Sequence, residues 1–331
     1  MKSFLHEVAD VFALGTPVAW RALPDRSTNL TWHLRTTEGR HLIKQFRYPA
    51  SDTFWRESLV EATRFESAAH DVGVVGMALP CRSVDDNVIE QLTGTYGRPA
   101  LVRVHEWVDG TPVPLEPPPV TIAAAGRQLA AVQDFATRYS RQSTGSLLWW
   151  DWEPERWLAA LADQRAIGPT EVSEGRTALA EALELVHAAE QSAINWTMCH
   201  YDHKPNNVHC TPDGLVLLDW DEAAMCPPRC EVVEAALLWA TTSDGVDRRR
   251  LDAFLNGFSC GRRGLDDPTE SDMGKWLASK VGWFDYSARR ALRELPCTDW
   301  EADISLDHAR TTLTDLAQGL DHISSWIGWM A

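Results

Sequence analysis

Residues 199–223 read CHYDHKPNNVHCTPDGLVLLDWDEA, and the spacing within them decides how the rest of the chain is read. His200, Asp202 and Asn207 fall in an H-x-D-x-x-x-x-N loop. A β-prone run over 208–210, a Thr-Pro-Asp-Gly turn over 211–214 and an apolar run over 215–218 follow, and Asp219 stands at their end. Two such runs around a turn predict a β-hairpin. A hairpin returns its second strand to the start of its first, so Asn207 and Asp219 should meet beside Asp202. Their oxygen atoms suit a hard cation. Asp219, Trp220 and Asp221 on their own read only as a strand end with solvated carboxylates. The full set, in order and with a hairpin inside it, calls for a chemical explanation.

Phosphoryl transfer supplies one, because that reaction needs placement and charge neutralisation more than covalent chemistry. Asp202 can orient and deprotonate a hydroxyl, Asn207 and Asp219 can hold Mg²⁺ on a nucleoside triphosphate, and His200 suits a buttress within the loop. With its D-W-x-x-A segment over 219–223 and a glutamate-rich helix beyond, the stretch resembles the aminoglycoside phosphotransferase family of the protein-kinase-like superfamily. The resemblance implies an α+β, bilobal protein-kinase-like fold. Its small sheet-containing N-lobe, over 1–108, would bind nucleotide. Its larger, mainly helical C-lobe, over 109–331, would hold the catalytic loop, the metal site and the acceptor cleft. ATP and Mg²⁺ are the implied cofactors.

The upstream sequence agrees with a nucleotide lobe. Segments 32–36 and 40–46 alternate in polarity around Thr37, Glu38 and Gly39, predicting a hairpin. Lys44, on the same face as Leu42 and Phe46, resembles the strand lysine that holds the α- and β-phosphates. A helix over 53–70 follows, with Glu57 and Glu61 four apart on one face. Glu61 is the expected partner of Lys44, ahead of Glu57 and Glu66. Segment 72–80 reads as a strand, and 101–108 as a strand entering a hinge. There Glu106, Trp107 and Val108 open an E-W-x-x-G pattern that resembles the family's adenine-binding segment; plain core is the other reading of Trp107. No G-x-G-x-x-G is present, so the turn at 26–29, with Ser27 and Thr28, is expected over the phosphates.

Beyond the proline-rich stretch 116–119, apolar spacing predicts helices through Ile122, Ala125, Leu129 and Val132, over 176–190, over 231–240, and from about 304 to 329. By resemblance, Glu231 takes the place of an aspartate that braces the catalytic loop. Segment 264–272 reads as the most flexible loop. Trp149, Trp150, Trp152 and Trp157 are interleaved with Asp151, Glu153 and Glu155, with Asp163 beyond. That mixture suits gripping amines and ring faces, or is simply buried aromatics beneath solvated acids.

A length of 331 residues suffices for two lobes. No apolar run approaches membrane-spanning length, and residues 1–12 carry charges where a secretory signal needs an apolar stretch, so a cytoplasmic, membrane-free protein is expected. A net charge of −16 argues against nucleic acid as a partner. It suits a cationic acceptor, and equally plain solubility. Seven cysteines without a C-x-x-C pair read as reduced thiols. The acceptor stays open. It is either a small aminoglycoside- or antibiotic-like molecule, for resistance or biosynthesis, or a Ser/Thr peptide. For the peptide, Lys204 within D-x-K-P-x-N resembles the Ser/Thr protein-kinase lysine that reaches the transferring phosphate. The peptide would be a ribosomally made precursor, phosphorylated ahead of elimination as in lanthipeptide biosynthesis. Intact Asp202, Asn207 and Asp219 argue against a third possibility, a catalytically dead binding module.

Overall fold

Alternating polarity in the first hundred residues builds a five-stranded antiparallel sheet in the computed structural model, which describes residues 1–23, 29–47, 52–142, 144–148, 152–259, 265–295 and 297–331. After helix α1 (Lys2–Val11), strands β1 (Pro17–Ala22), β2 (Asn29–Thr36) and β3 (Arg40–Phe46) lie side by side, followed by the strands Pro99–Glu106 and Glu90–Thr93. One sheet face buries Trp32, Leu34, Ile43, Val102 and Val104 against Phe4, Leu5, Val8 and Phe12 of the α1 segment. Each such side chain contributes about 1.5–3 kcal/mol when fully buried. Helix α1 was not among the predicted elements, although its apolar residues recur at a helical period.

On the other face, the register pairs Leu42 with His105 and Lys44 with Arg103. Helix α2 (Thr53–Asp71) starts at Asp52, whose carboxylate accepts from the Trp55 N–H at 3.0 Å. It buries Leu59, Ala62, Phe65, Glu66 and Ala69, and leaves Glu57 and Glu61 exposed.

The chain divides into two compact units, residues 1–115 with 200–224, and residues 116–199 with 225–331. The first contains the sheet, α1, α2 and the expected hairpin, whose strands Val208–Thr211 and Gly214–Leu217 pair Val208 with Leu217 and Thr211 with Gly214. Segment 72–80 forms only the short strand Gly76–Met77, parallel to the second hairpin strand. Its glycines at 73 and 76 and proline at 80 account for that brevity.

The second unit is mainly helical. It contains α3 (Pro119–Tyr139), α4 (Pro154–Asp163), α5 (Pro169–Ser192), α6 (Pro228–Ala240), α7 (Arg248–Ser259), α8 (Gly274–Ala291) and α9 (Asp299–Met330). Four of these open on proline, whose missing N–H and fixed φ suit the first helical position. Helices α3 and α7 approach closely through reciprocal glycines. A Cβ on Gly126 would stand 2.1 Å from the Phe254 carbonyl oxygen, and one on Gly257 would stand 2.0 Å from that of Ala123. Within the expected flexible loop, Asp272 is buried and takes Arg229 in a two-pronged bond at 2.8 and 2.9 Å, so that end is anchored. No described helix is long and apolar enough to cross a membrane.

Candidate active site

The hairpin fixes the loop that precedes it. Its open end is closed by the Leu218 N–H donating to the Asn207 carbonyl at 2.8 Å, which brings Asn207 beside the residue preceding Asp219. The Asn207 Nδ2 donates to the Asp202 carbonyl oxygen at 2.9 Å and to its Oδ2 at 2.7 Å. Both partners only accept, so the amide orientation is determined and the Asn207 Oδ1 is turned away from Asp202. Lys204 Nζ lies 2.8 Å from the other Asp202 oxygen, and the Asp202 side chain keeps 24% of its surface open.

His200, wholly buried, ties loop to strand. Its Nδ1 accepts the Asp202 N–H at 3.3 Å, so its Nε2–H donates to the Leu218 carbonyl at 3.1 Å. Tyr201 (φ 70°) and Asp219 (φ 64°) are both left-handed, a conformation uncommon for non-glycine residues and concentrated at functional sites. Neighbouring His203 is buried; burial, with the nearby His200, holds its imidazole down to about 3, so it is neutral.

A second set of charges is assembled from the sheet, α2 and the stretch after the hairpin. Lys44 Nζ lies 2.5 Å from Asp219 Oδ1 and also pairs with Asp221. Asp221 pairs in turn with Arg103, Arg103 with Glu66, and Glu66 with His105 at 3.0 Å. Lys44 and Arg103 stand opposite each other on adjacent strands, where like charges repel. Asp221 bonds to both and cancels that repulsion. Burial pushes Glu66 and Asp221 up. Arg103 and His105 together outweigh this at Glu66, and Lys44 with Arg103 outweighs it at Asp221, so both carboxyls are held below their usual range. Burial likewise pulls Lys44 down, and Asp219 and Asp221 more than restore it. Glu222 has the opposite fate. Loss of water around its carboxylate and repulsion from Asp202, Asp219 and Asp221 hold it up to about 7, although the residue as a whole is exposed, so solvent weakens this shift.

Several expectations change. Glu61 does not reach Lys44; it is exposed and pairs with Arg64, because the buried face of α2 runs through positions 59, 62, 66 and 69. Asp221 is not a solvated strand end but has a side chain only 7% exposed. At the expected hinge, the Glu106 N–H donates to the Leu79 carbonyl and the Trp107 N–H to that of Arg40, both at 2.9 Å. The Val108 carbonyl accepts from Gly110 at 3.1 Å. Trp107 is half-buried, with its ring 4.2 Å from that of His33 and the Arg21 guanidinium 6.0 Å from its centre. Ser27 and Thr28 lie outside the described residues, as do Trp149, Trp150 and Asp151.

In the helical unit, Trp157 is buried with Arg156 and Arg289 against its ring at 4.5 and 5.6 Å. Glu153 pairs with Arg156, while Glu155 and Asp163 are exposed. Glu231 is buried and accepts from Gln133 Nε2 at 2.8 Å.

Among the described residues, no group of three or more His, Cys, Asp or Glu forms a ready-made metal cage. The donor set still fits Mg²⁺, which typically takes one or two protein oxygens and completes its shell with phosphates and water. Asn207 Oδ1 and the Asp219 carboxylate are such donors, and the Lys44 ammonium already rests on Asp219 as a cation would. Spacing in the sequence does not single out Arg103 or Asp221, and it places Glu66 behind Glu61. The signals were an arginine inside the apolar run 100–104 and a glutamate in register with the apolar face of α2. Charges in such positions are buried only when paired.

The model of the phosphotransferase enzyme family APH matches residues 19–267. No curated protein matches the sequence closely enough to count as a relative. Among solved structures, a spectinomycin phosphotransferase in complex with ADP and spectinomycin is 11% identical, with a TM-score of 0.64 over 96% of this chain and 98% of that one. An amicoumacin kinase in complex with AMP-PNP and Ca²⁺ is 15% identical, with a TM-score of 0.65 over 96% and 93%. A microcompartment-associated aminopropanol kinase is 16% identical, with a TM-score of 0.63 over 98% of each chain. Identities this low speak to the fold, which is the α+β, protein-kinase-like one. The family model spans most of the sequence, and the chain belongs to the APH family of phosphotransferase enzymes.

Proposed function

We propose that this phosphotransferase moves the γ-phosphoryl group of ATP, with Mg²⁺, onto a hydroxyl of an amine-bearing small molecule of antibiotic-like type. The observation that carries the reading is one continuous set of contacts. Asp202 is held by Asn207, Asn207 is joined to the Asp219 strand end through Leu218, and Asp219 is held by Lys44. Asp202 orients the acceptor hydroxyl and takes its proton as the oxygen–phosphorus bond forms. The bond from the γ-phosphorus to the β,γ-bridging oxygen breaks, and ADP leaves. Asn207 and Asp219 would hold Mg²⁺, which supplies charge neutralisation on the phosphates. Lys44 adds a second positive charge there, and His200 keeps Asp202 in register with the metal strand.

Two observations support an amine on the acceptor. Four carboxylates, Asp202, Asp219, Asp221 and Glu222, stand together there, and burial first, then repulsion from the other three, holds Glu222 up at about 7. The chain as a whole carries −16, so a cation is drawn toward it. A Ser/Thr peptide is the second reading, favoured by the Lys204–Asp202 pair. Phosphate incorporation from labelled ATP into amino alcohols, aminoglycosides and Ser/Thr peptides, with and without Lys204→Ala, separates the two. Labelling of amine-bearing small molecules, weakening as salt screens the carboxylates, is expected. Labelling of peptide alone, lost in Lys204→Ala, would overturn the small-molecule reading.

A further inference from the structure

We propose that Arg103 is the positioning residue for the nucleotide-phosphate lysine, acting through Asp221, and that this pair replaces a direct contact from helix α2. The inference rests on the phosphotransferase reading of the site. A lysine that serves phosphates needs a carboxylate that stays with it while it does so. Lys44 has two in contact, and they are not equivalent. The Asp219 side chain is 40% exposed and lies at the end of the metal strand, so Mg²⁺ competes with Lys44 for it. The Asp221 side chain is 7% exposed and is bonded to Lys44 on one side and Arg103 on the other. With Asp219 engaged by a metal, Asp221 would remain as the anchor of the ammonium.

Arg103 makes Asp221 permanent. Its Nη1 holds Asp221 and its Nη2 holds Glu66, so one rigid fork spans two carboxylates that would otherwise repel. Its side chain is 1% exposed, and Glu66, at 2%, is further fixed by His105 at 3.0 Å. Helix α2 therefore reaches Lys44 through Glu66, Arg103 and Asp221, a path of three residues. Glu61, the residue that a direct contact would have used, faces away.

A double-mutant cycle on Mg·ATP binding, measured by calorimetry on the full chain without acceptor, tests this. Arg103→Lys keeps the charge but cannot span both carboxylates. Loss of one charge-assisted bond to Asp221 should weaken binding about tenfold. In a Lys44→Met background the same change should alter affinity by less than about twofold, because the residue it positions is gone. A merely structural role would produce the same loss in both backgrounds, and that result overturns the proposal, as does wild-type affinity in Arg103→Lys. Should Arg103→Lys fail to fold, Asp221→Asn, nearly isosteric, enters the same cycle with the same expected pattern. A wild-type protein that binds no Mg·ATP at all would instead sink the phosphotransferase reading beneath it.

Discussion

The loop with its hairpin over 200–219 and the charge network around Arg103 serve one site but are built in opposite ways. In the loop, the groups that hold Asp202 come from within five residues of it, and His200 reaches the Leu218 carbonyl eighteen residues on. The network is collected from distant elements. Arg103 bonds Glu66 across 37 residues and Asp221 across 118, and Lys44 reaches Asp221 across 177. The loop is partly open to solvent, whereas Glu66 and Arg103 are nearly dry. Local geometry thus presents Asp202, and long-range buried pairing holds Lys44, the cation proposed to meet the phosphates. The two should fail differently when broken.

The largest effect belongs to the loop. Asp202→Asn should lower phosphoryl transfer by about 10²–10⁴-fold, the usual worth of a positioned general base. Mg·ATP affinity should change by no more than about twofold, since the side chain addresses the acceptor and the Asn207 contact survives. Turnover and calorimetry on one preparation decide it. A matching loss of nucleotide affinity would mean that Asp202 acts on the metal side instead.

Breaking the network should cost stability rather than chemistry alone. Glu66→Ala leaves Arg103 with half its buried counter-charge, and removing one partner of such a pair costs about 3–5 kcal/mol. Denaturant unfolding should show a lowered midpoint, together with weaker nucleotide binding through Asp221 and Lys44. A stable Glu66→Ala protein with normal nucleotide affinity would show that the network is ornamental.

This contrast also explains what the sequence could disclose. The hairpin, the loop and the strand end at Asp219 were readable because their partners recur at short, fixed spacing, and one turn suffices to join them. The apolar period through Ile122, Ala125, Leu129 and Val132 marks a helix that spans 119–139, and the segments expected over 53–70 and from about 304 to 329 lie in helices 53–71 and 299–330. The partner of Lys44 was not, because spacing within α2 says which residues share a face but not which face meets the sheet. Leu59, Ala62 and Ala69 carried that information, and Glu66 lies in register with them. Asp221 looked solvated because nothing local marks it. Its burial follows only once the sheet has set Arg103 opposite Lys44.

A smaller effect should appear on the acid side. His203 is neutral in the folded chain, with its titration moved down from 6.5 to about 3. The unfolded chain therefore binds the extra proton first, so this contribution is complete above about pH 6.5 and is lost as pH falls towards 3. Glu66 and Asp221, held low, add losses of the same sign only once pH falls through the carboxylate range, while Glu222, held up to about 7, acts with the opposite sign above that range. All three are shared by wild type and variant, so near pH 5–6 the difference between the two belongs to His203. There, His203→Asn should remove about one proton's worth of slope, roughly 1.4 kcal/mol per pH unit, from the stability curve. Unfolding of both proteins across that window measures the difference, and parallel curves would mean that His203 is solvated.

The smallest expected effect is the sharpest test of the contrast between two glutamates on one helix. Glu61 and Glu66 have the same carboxylate and lie five residues apart, yet one is open to solvent and bonded to its neighbour Arg64, while the other is buried on Arg103 and His105. An exposed i,i+3 pair contributes only about 0.2–0.5 kcal/mol. Glu61→Gln should therefore shift the unfolding free energy by less than about 0.5 kcal/mol and leave Mg·ATP affinity unaltered within about twofold. Glu66→Gln should impair both, because an amide cannot neutralise the Arg103 fork. Calorimetry on the two variants side by side reads this directly. If Glu61→Gln weakens nucleotide binding while Glu66→Gln does not, α2 turns its other face to Lys44 when nucleotide arrives, and the path through Arg103 and Asp221 belongs to the nucleotide-free state alone.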